Sequence, residues 1–250
     1  MSHLARRTGI SDESPLFSNG FILRVTAVVA VLAMLTLAIS IGGRWIGRHI
    51  TLAGNTDNTA TVTITIGRDT LNLPENVIRF PNQRRSGVSE RADVYLTWPQ
   101  LQGYTKEHRE RFDDVSQSAD LIFLQITQST MSRDMSGRVE LIYKHVMEGA
   151  AVPYGSGLTL HKLKAEAGYG GEVLLTAPRA NEATYAVRCI LPSLTVSQTS
   201  GDCQRDIKAG KDLSVLYRFS SRHLRDWDHI DAAIRRFVEA RIVTRSATPR

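Results

Sequence analysis

The residues best placed to do chemistry lie close to the C-terminus, where His223, Asp226, Asp228 and His229 fall within seven positions. A carboxylate beside an imidazole can orient it and move a proton near neutral pH. Asp226, Asp228 and His229 are therefore the candidate catalytic set, and the chemistry they suit is hydrolysis. The same residues also suit the entrance to a helix, where aspartates cap free backbone N–H groups.

Elsewhere the seven histidines form no HExxH pattern and no spacing with Cys or carboxylate that would hold a metal. Gly155-Ser156-Gly157 lacks the flanking glycine of a nucleophile elbow, since position 154 is Tyr. Gly168-Tyr169-Gly170-Gly171 and Gly210-Lys211-Asp212 lack phosphate-loop spacing and read as turns. Glu107, Glu110, Asp113 and Asp114 are interleaved with Lys106, Arg109 and Arg111, as on a solvated charged surface. Tyr95, Trp98 and Tyr104 could form an aromatic platform, but strand alternation sends Tyr95 and Trp98 to opposite faces and Trp98 to the core. No cofactor and no metal site is expected.

These residues must be positioned by a domain that follows one long apolar run. Phe21 to Gly43 contains 19 uncharged residues from Val25 onward, enough to cross a hydrocarbon layer of about 30 Å as a helix. It is too long for a typical signal-peptide core and lacks a clean cleavage site, so it reads as an uncleaved anchor. Arg6, Arg7 and Arg24 precede the run, and Arg44 and Arg48 follow it, so the flanking charge barely chooses a direction. Trp45 sits where an indole prefers the headgroup region.

Cys189 and Cys203 are the only thiols. Their proximity fits one local disulfide in an oxidising compartment, worth about 3 kcal/mol on the chain-entropy account. That pair tips the orientation toward a cytoplasmic N-terminus and an exported body. The expected organisation is a cytoplasmic tail over 1–20, a transmembrane helix over 21–43, a linker over 44–59, a periplasmic α+β domain over 60–245 and a tail over 246–250.

Within the body, TATVTITIG, ADVYLTW and LSVLYRFS alternate as half-buried strands, and ADLIFLQITQ reads as a central strand. ENVIRF, GLTLHKLK, GEVLLTAP and TYAVRCILP are further strand candidates, with LNLP as a turn before ENVIRF. Met131, Met135, Val139, Ile142 and Val146 mark one face of a mid-chain helix that Gly137 weakens and Gly149 ends. Asp228 is placed to cap a C-terminal helix whose stripe is Ile230, Ile234, Phe237 and Val238, with Trp227 as a staple. Short strands at this spacing pair antiparallel, so the fold class is α+β: an N-terminal transmembrane helix, one mainly antiparallel sheet domain, a mid-chain helix and a C-terminal helix.

Apolar residues make up 42% and charged residues 22%, which excludes a disordered stalk. The net charge of +6 is partly a membrane-flank effect, and no basic stripe with interleaved aromatics suggests nucleic acid. ENVIRF, ADVYLTWPQLQGY, MSRDMSGR, the Cys189–Cys203 pair and YRFSSRHLRDW together resemble uncharacterised single-pass, inner-membrane-anchored envelope proteins of alphaproteobacteria. The resemblance implies an inner-membrane anchor with a periplasmic domain, and brings no activity with it. The expected partners are the lipid bilayer, through residues 21–43, and another envelope protein, and not nucleic acid. A protein that binds or scaffolds an envelope component is the reading preferred over an enzyme. The alternative is a membrane-anchored envelope hydrolase with a carboxylate–histidine site.

Overall fold

The computed structural model describes residues 19–52, 54–114, 117–193 and 199–243. The chain divides into two compact units, Met1–Ile50 and Thr51–Arg250.

The first unit holds all but the last two residues of the helix α1, Asn19–Leu52. Its segment Gly20–Gly43 is long and apolar enough to cross a membrane, and none of it is buried against protein. The hydroxyls of Thr26 and Thr36 donate to the carbonyls of Ile22 and Leu32, both at 2.9 Å, so each is satisfied within the helix as an apolar surround demands. The helix does not stop at Gly43. The expected linker begins as its continuation to Leu52, because Arg44–Leu52 contains no proline and only one glycine to break it. The interfacial position expected for the Trp45 side chain lies outside the described residues.

In the second unit, β1 (Thr61–Ile66) and β2 (Asp69–Pro74) form a hairpin. This corrects two expectations. LNLP is strand rather than turn, because the chain reverses earlier, at Gly67 with φ +56° and Arg68. ENVIRF is a 3-10 turn at Glu75–Val77 with one isolated bridge, Ile78 to Val94. β3 (Gly87–Val88) pairs parallel with β1.

The remaining strands make one antiparallel sheet: β4 (Arg91–Thr97), β5 (Leu121–Gln128), β6 (Met147–Gly155), β7 (Leu158–Leu163), β8 (Val173–Ala177), β9 (Tyr185–Cys189), β10 (Cys203–Ala209) and β11 (Leu213–Phe219). Their spatial order is β4-β5-β11-β10-β9-β8-β7-β6. A short helix, α2 (Arg109–Asp113), lies between β4 and β5. A helical run from Ser136 ends in α3 (Lys144–Val146), and α4 (Trp227–Glu239) closes the domain.

Period-two alternation gives the large sheet two faces. The first carries Val94, Leu124, Val215, Ile207 and Val187 into one core shared with Ile64 and Leu71 of the hairpin and Ile230, Ile234, Phe237 and Val238 of α4. Just past α4, Ile242 bridges to Leu71, and Val243 N–H donates to Thr70 at 2.8 Å. The second face is covered over β7–β9 by the mid-chain helical run, whose Met135, Val139 and Tyr143 pack on Leu163, Leu174 and Ala186. The expected stripe placed Ile142 inward, but Ile142 is exposed. Val139–Tyr143 is a π-helical turn, and its wider repeat brings Tyr143 to the buried position instead. Cys189 and Cys203 face each other across β9 and β10 and are disulfide-bonded.

Candidate functional site

The sheet's buried face contains one strongly ionic cluster. Register sets Arg205 of β10 beside Tyr217 of β11, and Asp231 on the second turn of α4 reaches both. Arg205 Nε donates to Asp231 Oδ1 at 2.8 Å, and Tyr217 OH donates to the same oxygen at 2.7 Å. Arg179 donates to Asp231 Oδ2 at 2.7 Å and, nearer the surface, to Asp228 at 2.6 Å. Arg205 also donates to the Ala186 carbonyl at 2.8 Å and to Ser136 Oγ at 3.0 Å. The Arg179 guanidinium lies 5.1 Å from the ring centres of both Tyr185 and Trp227.

Burial pushes the Asp231 carboxyl up, but the charge of Arg205 and the hydrogen bonds from Arg205, Tyr217 and Arg179 outweigh it and hold the pKa down at about 2. Burial drives the Tyr185 and Tyr217 hydroxyls upward. With Arg205 and Asp231 both almost wholly buried and hydrogen-bonded to each other, the cluster pins α4 to the sheet. Nothing in the sequence anticipates it, since Arg205 sits in CQRDIKA with no motif around it.

The three residues expected as a catalytic set do not converge. Asp228 binds Arg179 on one side of α4. Asp226 and His229 line a different, open hollow of about 530 Å³, together with Trp98, Arg111, Asp120 and His223. There His223 Nε2 lies 3.0 Å from Asp120 Oδ1 and 3.2 Å from the Ala119 carbonyl. Imidazole and carboxylate can exchange a proton in this hollow, while among the described residues none of its lining side chains is Ser, Thr, Cys or Lys. Asp228 does not cap α4 as expected: the N-cap is Asp226, whose side chain makes no cap hydrogen bond, and Asp228 lies within the first turn, where its charge suits the helix N-terminus. Trp227 packs against Tyr185 with ring centres 4.3 Å apart and planes tilted by 40°, and donates to the Ser156 carbonyl at 3.0 Å. Among the described residues no cluster of His, Cys, Asp or Glu could hold a metal ion.

The aromatic trio is divided as well. Tyr95 and Tyr104 both pack edge-on against Phe112 beneath α2, and burial pushes the Tyr95 hydroxyl up to about 12. Neither ring is free to form a platform, because α2 covers that corner.

A further open feature is the second face of the sheet over β4, β5, β11 and β10, beyond the reach of the mid-chain helical run. Pairing aligns three rungs across it: Arg91, Thr127, Ser214 and Lys208; Asp93, Gln125, Leu216 and Asp206; and Phe123, Arg218 and Gln204, with Tyr95 at the β4 end of the last rung covered by α2. Gln125, Leu216 and Phe123 are half-buried, and Lys208 and Arg218 are exposed. Two adjoining hollows of about 260 and 100 Å³ share Gln125 and Leu216 as their common floor. No sequence motif marks this surface. Its only trace is the polar half of each alternating strand.

No known protein family matches the chain, and no curated protein matches it. Among solved structures it resembles Smlt3025, an immunity protein of the Stenotrophomonas maltophilia type IV secretion system. That structure has a TM-score of 0.51 at 16% identity, covering 74% of this chain and 94% of the other. The iron-regulated outer membrane lipoprotein FrpD of Neisseria meningitidis aligns with a TM-score of 0.44 at 12% identity, covering 75% and 94%. The likeness to Smlt3025 is one of fold.

Proposed function

We propose that this chain is a single-pass inner-membrane protein, N-terminus cytoplasmic, whose periplasmic domain binds another protein of the cell envelope. The observation that carries the reading is the half-covered sheet: one face is sealed by α4 and the hairpin, while four strands of the other present polar and apolar side chains in an open hollow. The apolar helix supplies an anchor, and the Cys189–Cys203 disulfide suits an oxidising compartment. The resemblance to single-pass envelope proteins and the shared fold with an immunity protein of a secretion system are in keeping with such a role.

The test is site-directed photo-cross-linking in intact cells from Thr127 and Ser214 on the open face, with a C-terminal reporter active only in the periplasm. A discrete cross-linked protein and an active reporter are expected. A silent reporter overturns the topology, and cross-linking no stronger than from an exposed position on α4 such as Arg236 overturns the binding reading.

A second reading, an envelope hydrolase, is favoured by one observation, the His223–Asp120 pair 3.0 Å apart in a hollow shared with Asp226 and His229. It would use water as the nucleophile. Asp120→Asn should abolish any hydrolytic activity if the pair is its acid–base centre, and activity that survives the substitution sinks this reading.

A further inference from the structure

We infer that the open sheet face is a docking surface for an acidic polypeptide segment, an inference that rests on the binding function proposed above and names the chemistry of its partner. The two carboxylates of the face are already neutralised from within the domain. Asp93 Oδ2 receives Arg91 Nε at 3.0 Å and Gln83 Nε2 at 2.7 Å. Asp206 is paired with Arg138, which reaches over from the mid-chain helical run. Four cations around the same hollows have no acidic partner among the described residues: Arg79, Arg133, Lys208 and Arg218. Two lie on the strands themselves, and the others stand at opposite rims.

Arg79 is further held in place by aromatic faces, its guanidinium 5.2 Å from the Phe80 ring centre and 5.3 Å from that of Phe123. Stacking of that kind leaves the guanidinium edge free to take a carboxylate in a forked pair. The resulting surface has an apolar floor at Leu216 and Phe123, neutral hydrogen-bonding groups at Gln125, Thr127 and Ser214, and an unopposed cationic rim.

The charge pattern selects the sign of the occupant, since a positive surface favours and steers a negative partner while opposing a positive one. Its shape selects the kind. The hollows are recessed between Met131 and Arg133 on one side and Arg79 on the other, which suits an extended segment entering the groove better than a flat bilayer lying across it. Acidic side chains meet the rim, and intervening apolar side chains meet Leu216 and Phe123.

The experiment measures binding of the full-length protein, in nanodiscs of zwitterionic lipid, to a fluorescein-labelled peptide of alternating Glu and Val, with a Lys/Val peptide and phosphatidylglycerol vesicles as competing probes. The Glu/Val peptide should bind, weaken steeply with added salt and lose about tenfold in affinity with Lys208→Glu and Arg218→Glu combined. Both positions are exposed, so the variant should unfold at the wild-type midpoint. Equal binding of the two peptides overturns the inference. Undiminished affinity in the double variant does the same, and so does binding that passes to the anionic vesicles in preference to the peptide. A cross-linked envelope protein that the double variant retains fully would leave the binding function standing and remove only the acidic segment. Failure of the peptide to bind while cross-linking persists would likewise remove the acidic segment alone.

Discussion

Replacing Asp231 by Asn should change how the domain's stability depends on acidity. In the folded protein burial alone would raise the Asp231 pKa, but Arg205, Tyr217 and Arg179 draw it down from 3.8 to about 2. A carboxyl whose folded-state pKa is depressed adds stability that is fully present above its unfolded value and lost as the pH falls through the folded one. The window is therefore from about pH 4 down to about pH 2, and the linked contribution is about 2 kcal/mol. Asp231→Asn leaves Arg205 buried without a counter-charge, which costs about 3 kcal/mol or more near neutrality. It also removes the titration. Urea unfolding of wild type and variant, followed by fluorescence and with Trp227 on the Tyr185 ring as one of the emitters, should show the gap closing by about 2 kcal/mol between pH 5 and pH 2. If the two stability curves run parallel through that window, Asp231 titrates as in an unfolded chain. The ionic pin on α4 would then be refuted.

Reducing the Cys189–Cys203 bond, or replacing both residues by Ser, opens a loop with a sequence separation of 14; the urea midpoint should fall by the equivalent of about 3 kcal/mol, with no change in the helical circular dichroism of α1. Gly210→Ala should destabilise the β10–β11 turn by more than about 1 kcal/mol in the same assay. Gly210 has φ +59°, and its new methyl would meet the Asp69 carboxylate at 2.7 Å, where that group accepts the N–H of Lys211 at 2.8 Å and of Asp212 at 3.0 Å. Ile234→Ala on the buried stripe of α4 should cost about 2 to 5 kcal/mol, and an exposed control, Arg236→Ala, about half a kcal/mol or less.

What the sequence made legible was apolar alternation. β1 and β11 alternate without interruption, β4 does so until α2 also covers Tyr95, and the apolar stripe of α4 falls on four of its five buried residues, the fifth being Asp231. Elements whose pattern is broken escaped. β10 alternates Cys203, Arg205, Ile207 and Ala209 inward, but an arginine at a core position hides the period until Asp231, 26 residues away, supplies its counter-charge. β6 is a sheet edge with nearly every residue exposed, so it has no buried face to register, and Gly149 and Pro153 disguise it further. The catalytic set Asp226, Asp228 and His229 rests on proximity in sequence alone. Trp227–Glu239 is helical, however, and at helical spacing Asp228 is carried to one flank and His229 to the other.

The open face was hidden for a different reason: polar residues at every second position of a strand look alike whether water, a helix or a partner lies over them. The distinction emerges only across the sheet. On the covered face β4, β5, β11, β10, β9, β8 and β7 each contribute apolar groups, as packing against α4 and the hairpin requires. On the other face the composition changes between β10 and β9, from Gln204, Asp206 and Lys208 to Ala186, Leu174 and Leu163. That change coincides with the edge of the mid-chain helical run, and the Arg138–Asp206 pair sits on the boundary. Packing accounts for the apolar side of the line. Solvent exposure accounts for polarity on the other side, but it does not account for a half-buried Leu216 and Phe123 ringed by cations whose local carboxylates are already taken. A water-facing surface would gain solubility from either sign of charge. A surface of one unopposed sign around an apolar floor would discriminate between partners, which is the property that the proposed docking of an acidic segment requires.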